Sequence, residues 1–284
     1  MGVIPKGTRL GIHVEKVFMR KSFTLDGLRA ILAFDNWPTV LFARLFDRGT
    51  GFVAYRKNGF DILIDHRGGD ENGTRSCIAS NMYRRYLPFF DLPRPARVLD
   101  LGANGGGFPL MLRIEGIQLA RVVSVEMNPL TFLRLQLNLV TNLGAAAIAI
   151  NAAACGMSTG PELSFKTSRG GTAEGIYTSS ADSSGPHVLV QKRTLEALYD
   201  EHFENELLDI CKVDIEGAEY DVFTSCPDGL ICKIRYIVIE FHDPAQTPAY
   251  VERNTDLGFT EILAEAGRSQ DEFGDVRAFR GPAA

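Results

Sequence analysis

From Arg97 onward the chain alternates short apolar runs with stretches of helical periodicity, and no other feature restricts its fold so strongly. Strands that are apolar along most of their length, each followed by an amphipathic helix, belong in a parallel sheet covered on both faces. "ARVLDLG" reads as the first strand and "FPLMLRIEG" as the helix after it. "ARVVSVEMN" is the second strand, and "PLTFLRLQLNLVTNLG" is a helix with Pro129 at its start and Gly144 at its stop. "AAIAINAAA" supplies a third strand, after which "TLEALYDEHF", "LLDICKVDIEG", "AEYDVFTSC" and "IRYIVIEFHD" run helix, strand, helix, strand. "GFTEILAEA" and "DVRAFRG" form an antiparallel pair at an edge. The fold class is α/β, with seven strands in a mostly parallel sheet and helices on both faces.

Two regions fall outside this pattern. Residues 156–186 are rich in Gly, Ser and Thr and read as a mobile insertion in the main domain, which spans 91–284. Residues 1–90 read as an α/β cap that serves substrate binding or homo-oligomer formation, with a helix in "TLDGLRAILAF" and a hairpin in "FVAYRKNGFDILIDH" turning at Asn58-Gly59.

The first strand runs into "VLDLGANGGG", where Asp100 stands two residues before Gly102. Glycine-rich turns at strand ends commonly cradle phosphate, and an acid beside a phosphate has the wrong sign. S-adenosylmethionine removes the conflict, because it carries no phosphate and its methionine end bears an ammonium and a sulfonium. Glu126, at the end of the second strand, is placed to accept hydrogen bonds from both ribose hydroxyls. Gly102, Asn104 and Gly105 in the loop, Asn128 after the second strand, Asn151 at the third and Asp214 at the fourth complete the expected donor contacts.

"VLDLGANGGGF", "VEMNP" and "LLDICKVDIEGAEYDVF" together resemble the FkbM-type methyltransferases, whose hallmark Asp-x-Glu-Gly-x-Glu segment is matched by Asp214 to Glu219. The resemblance covers about Tyr83 to Gly281. It implies a class I methyltransferase (Rossmann-like) fold, S-adenosylmethionine as donor, and methylation of a hydroxyl on a sugar, polyketide or other small natural product or glycan.

Strand alternation places Asp214 with Glu216, and Glu240 with His242, on common sides of adjacent strands. Asp214 or His242 is the expected base, with Glu216 beside them. Mg²⁺ held by Asp214, Glu216 and Glu240 is a further expectation for such hard ligands. Glu219 has an alternative role as a helix cap. Two rival readings stay open: N-methylation of an amino sugar or amine, with the acids binding a cation, and a non-catalytic S-adenosylmethionine-binding module.

Composition excludes other classes. The net charge of -5 argues against a nucleic-acid binder. No apolar run reaches the roughly 18 to 20 residues of a membrane helix, and no export signal is evident, so a cytoplasmic location is expected. Five cysteines without a C-x-x-C pair suggest neither a disulfide framework nor a thiolate zinc site.

Overall fold

The computed structural model describes residues 25–46, 49–156, 162–167, 187–263 and 276–284. Helices α1 (Leu25–Leu32) and α2 (Trp37–Phe46) precede a hairpin of β1 (Phe52–Lys57) and β2 (Phe60–Asp65). A π-helical turn at Glu71–Arg75, the one-turn helix α3 (Ser76–Ala79) and a 3-10 turn at Arg84–Phe89 lead into the main sheet. There β3 (Ala96–Leu101), α4 (Gly107–Ile114), β4 (Leu119–Glu126), α5 (Pro129–Leu143) and β5 (Ala147–Ala154) follow one another. After β6 (Glu162–Lys166) and β7 (His187–Arg193) come α6 (Leu195–Phe203), β8 (Leu208–Val213), α7 (Glu219–Thr224) and α8 (Asp228–Ile231). The chain closes with β9 (Ile234–Glu240), α9 (Thr247–Asp256), β10 (Thr260–Ile262) and β11 (Val276–Arg280).

The main sheet has the order β10-β11-β9-β8-β3-β4-β5-β7-β6. Its central pairs are parallel, while β6, β11 and β10 run antiparallel to their neighbours. The chain works outward from β3 to β5, then returns to the other side of β3 at β8. That reversal between β3 and β8 is the switch point at which open α/β sheets bind ligands, beyond the carboxyl ends of the strands.

All seven expected strands are present, but the sheet has nine among the described residues. The difference lies beyond β5. "HVLVQKR" forms β7, and β6 lies inside the stretch read as an insertion. β6 is the edge of the sheet and β7 lies between it and β5. Phe165 and Val190 pack with Ala153 in a small separate cluster, so their sequences carry only a weak apolar signal. The rest of the expected insertion, 157–161 and 168–186, lies outside the described residues. Helices α2, α3, α8 and α9 are also missing from the sequence reading; the polar run "TPAYVERNTD" of α9 buries little besides Thr247, Tyr250 and Asn254.

At the hairpin, Asn58 and Gly59 have φ of 49° and 85°, the paired left-handed residues that an Asn-Gly turn supplies. Strand alternation sends Leu99, Val123, Cys211 and Ile237 to one face of the main sheet, against Tyr199, Phe203, Phe223 and Tyr250. Val98, Val122, Ile210 and Val238 face the other way, in one cluster with Phe108 and Met111. Ile31, Tyr55, Ile62, Ile64 and Ile78 belong to that same cluster, so residues before and after position 90 share a core. Among the described residues no helix is long and apolar enough to cross a membrane.

Candidate active site

The carboxyl end of β3 sets the geometry. Gly102 has φ of +72°, and a Cβ there would lie 1.6 Å from the backbone oxygen of Asp214. Asp214 in turn donates its backbone N–H to the carbonyl of Leu101 at 3.1 Å. The glycine is therefore required by the approach of one chain segment to another, and it also lines the cavity.

Asp100 is fully buried and does not line the cavity. In the parallel register it stands opposite Lys212, whose Nζ lies 3.4 Å from Asp100 Oδ1 and 3.3 Å from Asp214 Oδ2 and donates to the carbonyl of Gly102 at 2.7 Å. Burial opposes the ammonium, yet the carboxylates of Asp214 and Asp100 hold its pKa above the ordinary value. Burial pushes the Asp100 carboxyl up, and the Lys212 charge opposes that rise. The acid beside the glycine loop is thus answered by a lysine on the next strand. Asp100, expected to face the ligand, faces Lys212 instead and has no surface in the cavity.

A cavity of about 300 Å³ opens over the ends of β3, β4, β5, β8 and β9, within the range that small-molecule sites occupy. Glu126 lines it, and its two oxygens accept the backbone N–H groups of Asn104 and Asn128 at 2.9 and 2.8 Å. Burial pushes this carboxyl up to about 7, against the pull of those two donors. Asn104 also lines the cavity, whereas Gly105, Asn128 and Asn151 do not. Asn128 caps α5 through the Leu130 N–H and accepts from the Thr167 hydroxyl. Asn151 donates to the carbonyls of Glu126 and Met127 at 2.9 and 3.0 Å. These two asparagines shape the Glu126 corner from behind.

At the opposite wall the acids converge, though not through strand alternation. β8 ends at Val213, so Asp214 and Glu216 belong to the following loop, where Glu216 takes φ of 56°. That loop is gathered by Glu219, whose carboxylate accepts the backbone N–H groups of Ile215 and Gly217 and bonds His242 Nδ1 at 2.8 Å. His242 Nε2 lies 3.3 Å from Glu216 and 3.8 Å from Asp214. Burial disfavours the imidazolium, but the Glu219 hydrogen bond and the charges of Glu216 and Asp214 raise its pKa to about 9. At neutral pH His242 is therefore already protonated, and the expected role as base does not suit it. Burial and the nearby Asp214 charge push Glu240 up to about 7.

The donor atoms of Asp214, Glu216 and His242 lie within 4.8 Å of one another. The trio expected to hold Mg²⁺ contained Glu240 in place of His242. His242 would ligate a divalent ion only as the neutral imidazole, so the group brought together is a different donor set from the all-oxygen one expected.

Lys212 and Tyr83 escaped the sequence reading. A lysine at the centre of an apolar strand, "LLDICKV", demands a buried counter-charge, and that was its available signal. Tyr83 had none: its hydroxyl, buried, lies 3.4 Å from both Asp214 and Glu240, and its ring packs edge-on against Phe108.

The Methyltransferase FkbM domain matches residues 100–279. The AMB antimetabolite synthetase AmbE of Pseudomonas aeruginosa is 27% identical over 187 residues, covering 54% of this chain but 9% of that protein. Methyltransferase sdnD of Sordaria araneosa is 25% identical over 219 residues, covering 67% of this chain and 83% of that one. The crystal structure of methyltransferase FkbM from Methylobacillus flagellatus KT is similar over 70% of this chain and 47% of its own, with a TM-score of 0.48 and 15% identity. With more than half of its length matched, and with the strand order and switch-point cavity of a class I fold, the chain belongs to the FkbM methyltransferase family.

Proposed function

We propose that the chain uses S-adenosylmethionine to methylate a hydroxyl on a small molecule or glycan. The observation that carries this reading is the cavity across the switch point, walled by Glu126 at one side and by Asp214 and Glu240 at the other. Glu126 retains acceptor capacity on both oxygens after its two backbone bonds, enough for a pair of ribose hydroxyls. Ala103, Met127 and Ala152 to Ala154 would surround the nucleoside, and Asp214 would oppose the ammonium. When bound, the donor supplies a methyl group on a sulfonium.

The chain's own part is to hold the acceptor in line and take its proton. Glu240 suits that task. It lines the cavity, titrates near neutrality and sits beside the Tyr83 hydroxyl. His242 and Lys212 offset part of the carboxylate charge around it. Calorimetric titration with S-adenosylhomocysteine tests the donor: saturable binding is expected, and none would remove this reading. Glu240→Gln is then expected to leave that affinity unchanged and to lower turnover of a hydroxylated acceptor by about 10²- to 10⁴-fold. Unchanged turnover would exclude Glu240 as base.

The surplus of carboxylates over cations in the site favours a second reading, methylation of an amine that enters as a cation. Screening paired hydroxyl and amino acceptors of one sugar separates the two.

The state of Glu126 also sets a pH dependence. Its ionised form is the better acceptor for two hydroxyls, and its pKa stands at about 7. S-adenosylhomocysteine affinity is therefore expected to rise with pH through neutrality and level off above it. Titrations across that interval check this, and Glu126→Ala should bind weakly and without the pH step.

A further inference from the structure

We infer that the turn at Glu71–Arg75, outside the matched stretch 100–279, is part of the donor site, with Thr74 as the positioning residue for the glycine loop. The inference rests on the donor reading above. Thr74 is buried, its hydroxyl donating to Asn104 Oδ1 at 2.8 Å and accepting the Gly105 N–H at 2.8 Å. Its backbone N–H reaches the same Asn104 oxygen at 3.3 Å.

Asn104 needs such support. It takes φ of 49°, a left-handed conformation that costs a non-glycine residue about 1 to 3 kcal/mol unless its surroundings impose it. The close fit runs both ways. A Cβ on Gly73 would lie 2.6 Å from Asn104 Cγ, and one on Gly107 would lie 2.8 Å from the carbonyl oxygen of Thr74. Turn and loop therefore interlock with backbone against side chain and backbone against backbone, leaving no room for an independent shift.

The turn is fixed from behind. Arg134 of α5 forms two 2.7 Å bonds to the carboxylate of Asp70, and both side chains are buried. Asp70 also accepts the Asp65 backbone N–H at 2.9 Å. The chain of contacts runs from α5 to Asp70, whose carbonyl accepts the N–H of Arg75 next to Thr74, and from Thr74 to Asn104 and the Glu126 carboxylate, which accepts the Asn104 N–H. Asn72, Gly73, Thr74 and Cys77 line the same cavity as Gly102, Ala103, Asn104 and Gly107. Ligand binding at the loop is thus coupled to order in the turn.

The test is calorimetry with S-adenosylhomocysteine on the wild type, Thr74→Val and Thr74→Ser, with thermal unfolding of each. Loss of the hydroxyl is expected to weaken binding about tenfold. Serine, which keeps it, is expected to restore affinity to within about threefold. Hydrogen exchange on the wild type needs no variant and covers the case in which Thr74→Val fails to fold. S-adenosylhomocysteine is expected to slow exchange at 70–77 together with 102–107. Wild-type affinity in a folded Thr74→Val, or protection at 102–107 without 70–77, overturns the inference. A wild type that does not bind S-adenosylhomocysteine overturns the donor reading itself and this inference with it.

Discussion

Lys212→Met is expected to destabilise the fold by about 3 to 5 kcal/mol at neutral pH, because removing one partner of a buried ion pair strands the other. The stranded group is Asp100, fully buried, with neither carboxylate oxygen in an aligned hydrogen bond. Lys212 is the cation placed against it, and methionine replaces the alkyl stem without the charge. The sign of the pH dependence follows. Without Lys212 the Asp100 carboxyl rises further above its unfolded value of about 3.9, so the folded state holds a proton that the unfolded state releases. Stability of the variant relative to wild type therefore recovers as pH falls and worsens as it rises. Urea unfolding at about pH 5.5 and about pH 8 checks this, and a pH-independent gap between variant and wild type would refute the pairing. Adding Asp100→Asn to Lys212→Met should recover much of the loss, as expected of two groups in direct contact.

Gly102→Ala is expected to be worse still. Its Cβ would meet a backbone oxygen 1.6 Å away, a clash that no rotamer relieves, at a φ of +72° that already disfavours a side chain. The segment Asp214 to Gly217 would have to move, and Glu219 and His242 are tied to it. A loss above about 4 kcal/mol is expected, at the rare end of single substitutions, together with loss of S-adenosylhomocysteine binding. Gly116→Ala is the control. Its φ is +83° but nothing lies within 4 Å of the added Cβ, so only the conformational penalty of about 1 to 2 kcal/mol applies. Equal melting temperatures for the two variants would show that the approach of Asp214 is not what Gly102 accommodates.

These two sites show what was and was not legible beforehand. The central sheet could be read because buried parallel strands must be apolar throughout, and the helices between them announce themselves with Pro129 and Gly144. Strand β7, one place in from the edge, buries only Val190 and loses that signal. The acid cluster was anticipated for the wrong reason. Asp214 and Glu216 meet His242 because a loop held by Glu219 folds back, not because they alternate along a strand. Asp100 was singled out correctly as anomalous, but the partner that explains it lies 112 residues further on, at Lys212, and only the strand register connects them. Tyr83 and Thr74 come from a region whose mixed apolar pattern fixes no register, so their arrival at the cavity required three-dimensional information.

The shared core on one sheet face bears on how such a protein is inherited and cut. The matched stretch starts at residue 100, yet Val98, Phe108 and Val122 sit in one cluster with Ile31, Tyr55 and Ile64. A fragment beginning at the family boundary would expose that face to water. The stretch recognisable as a family thus shares its core with described residues that precede it, from Ile31 onward.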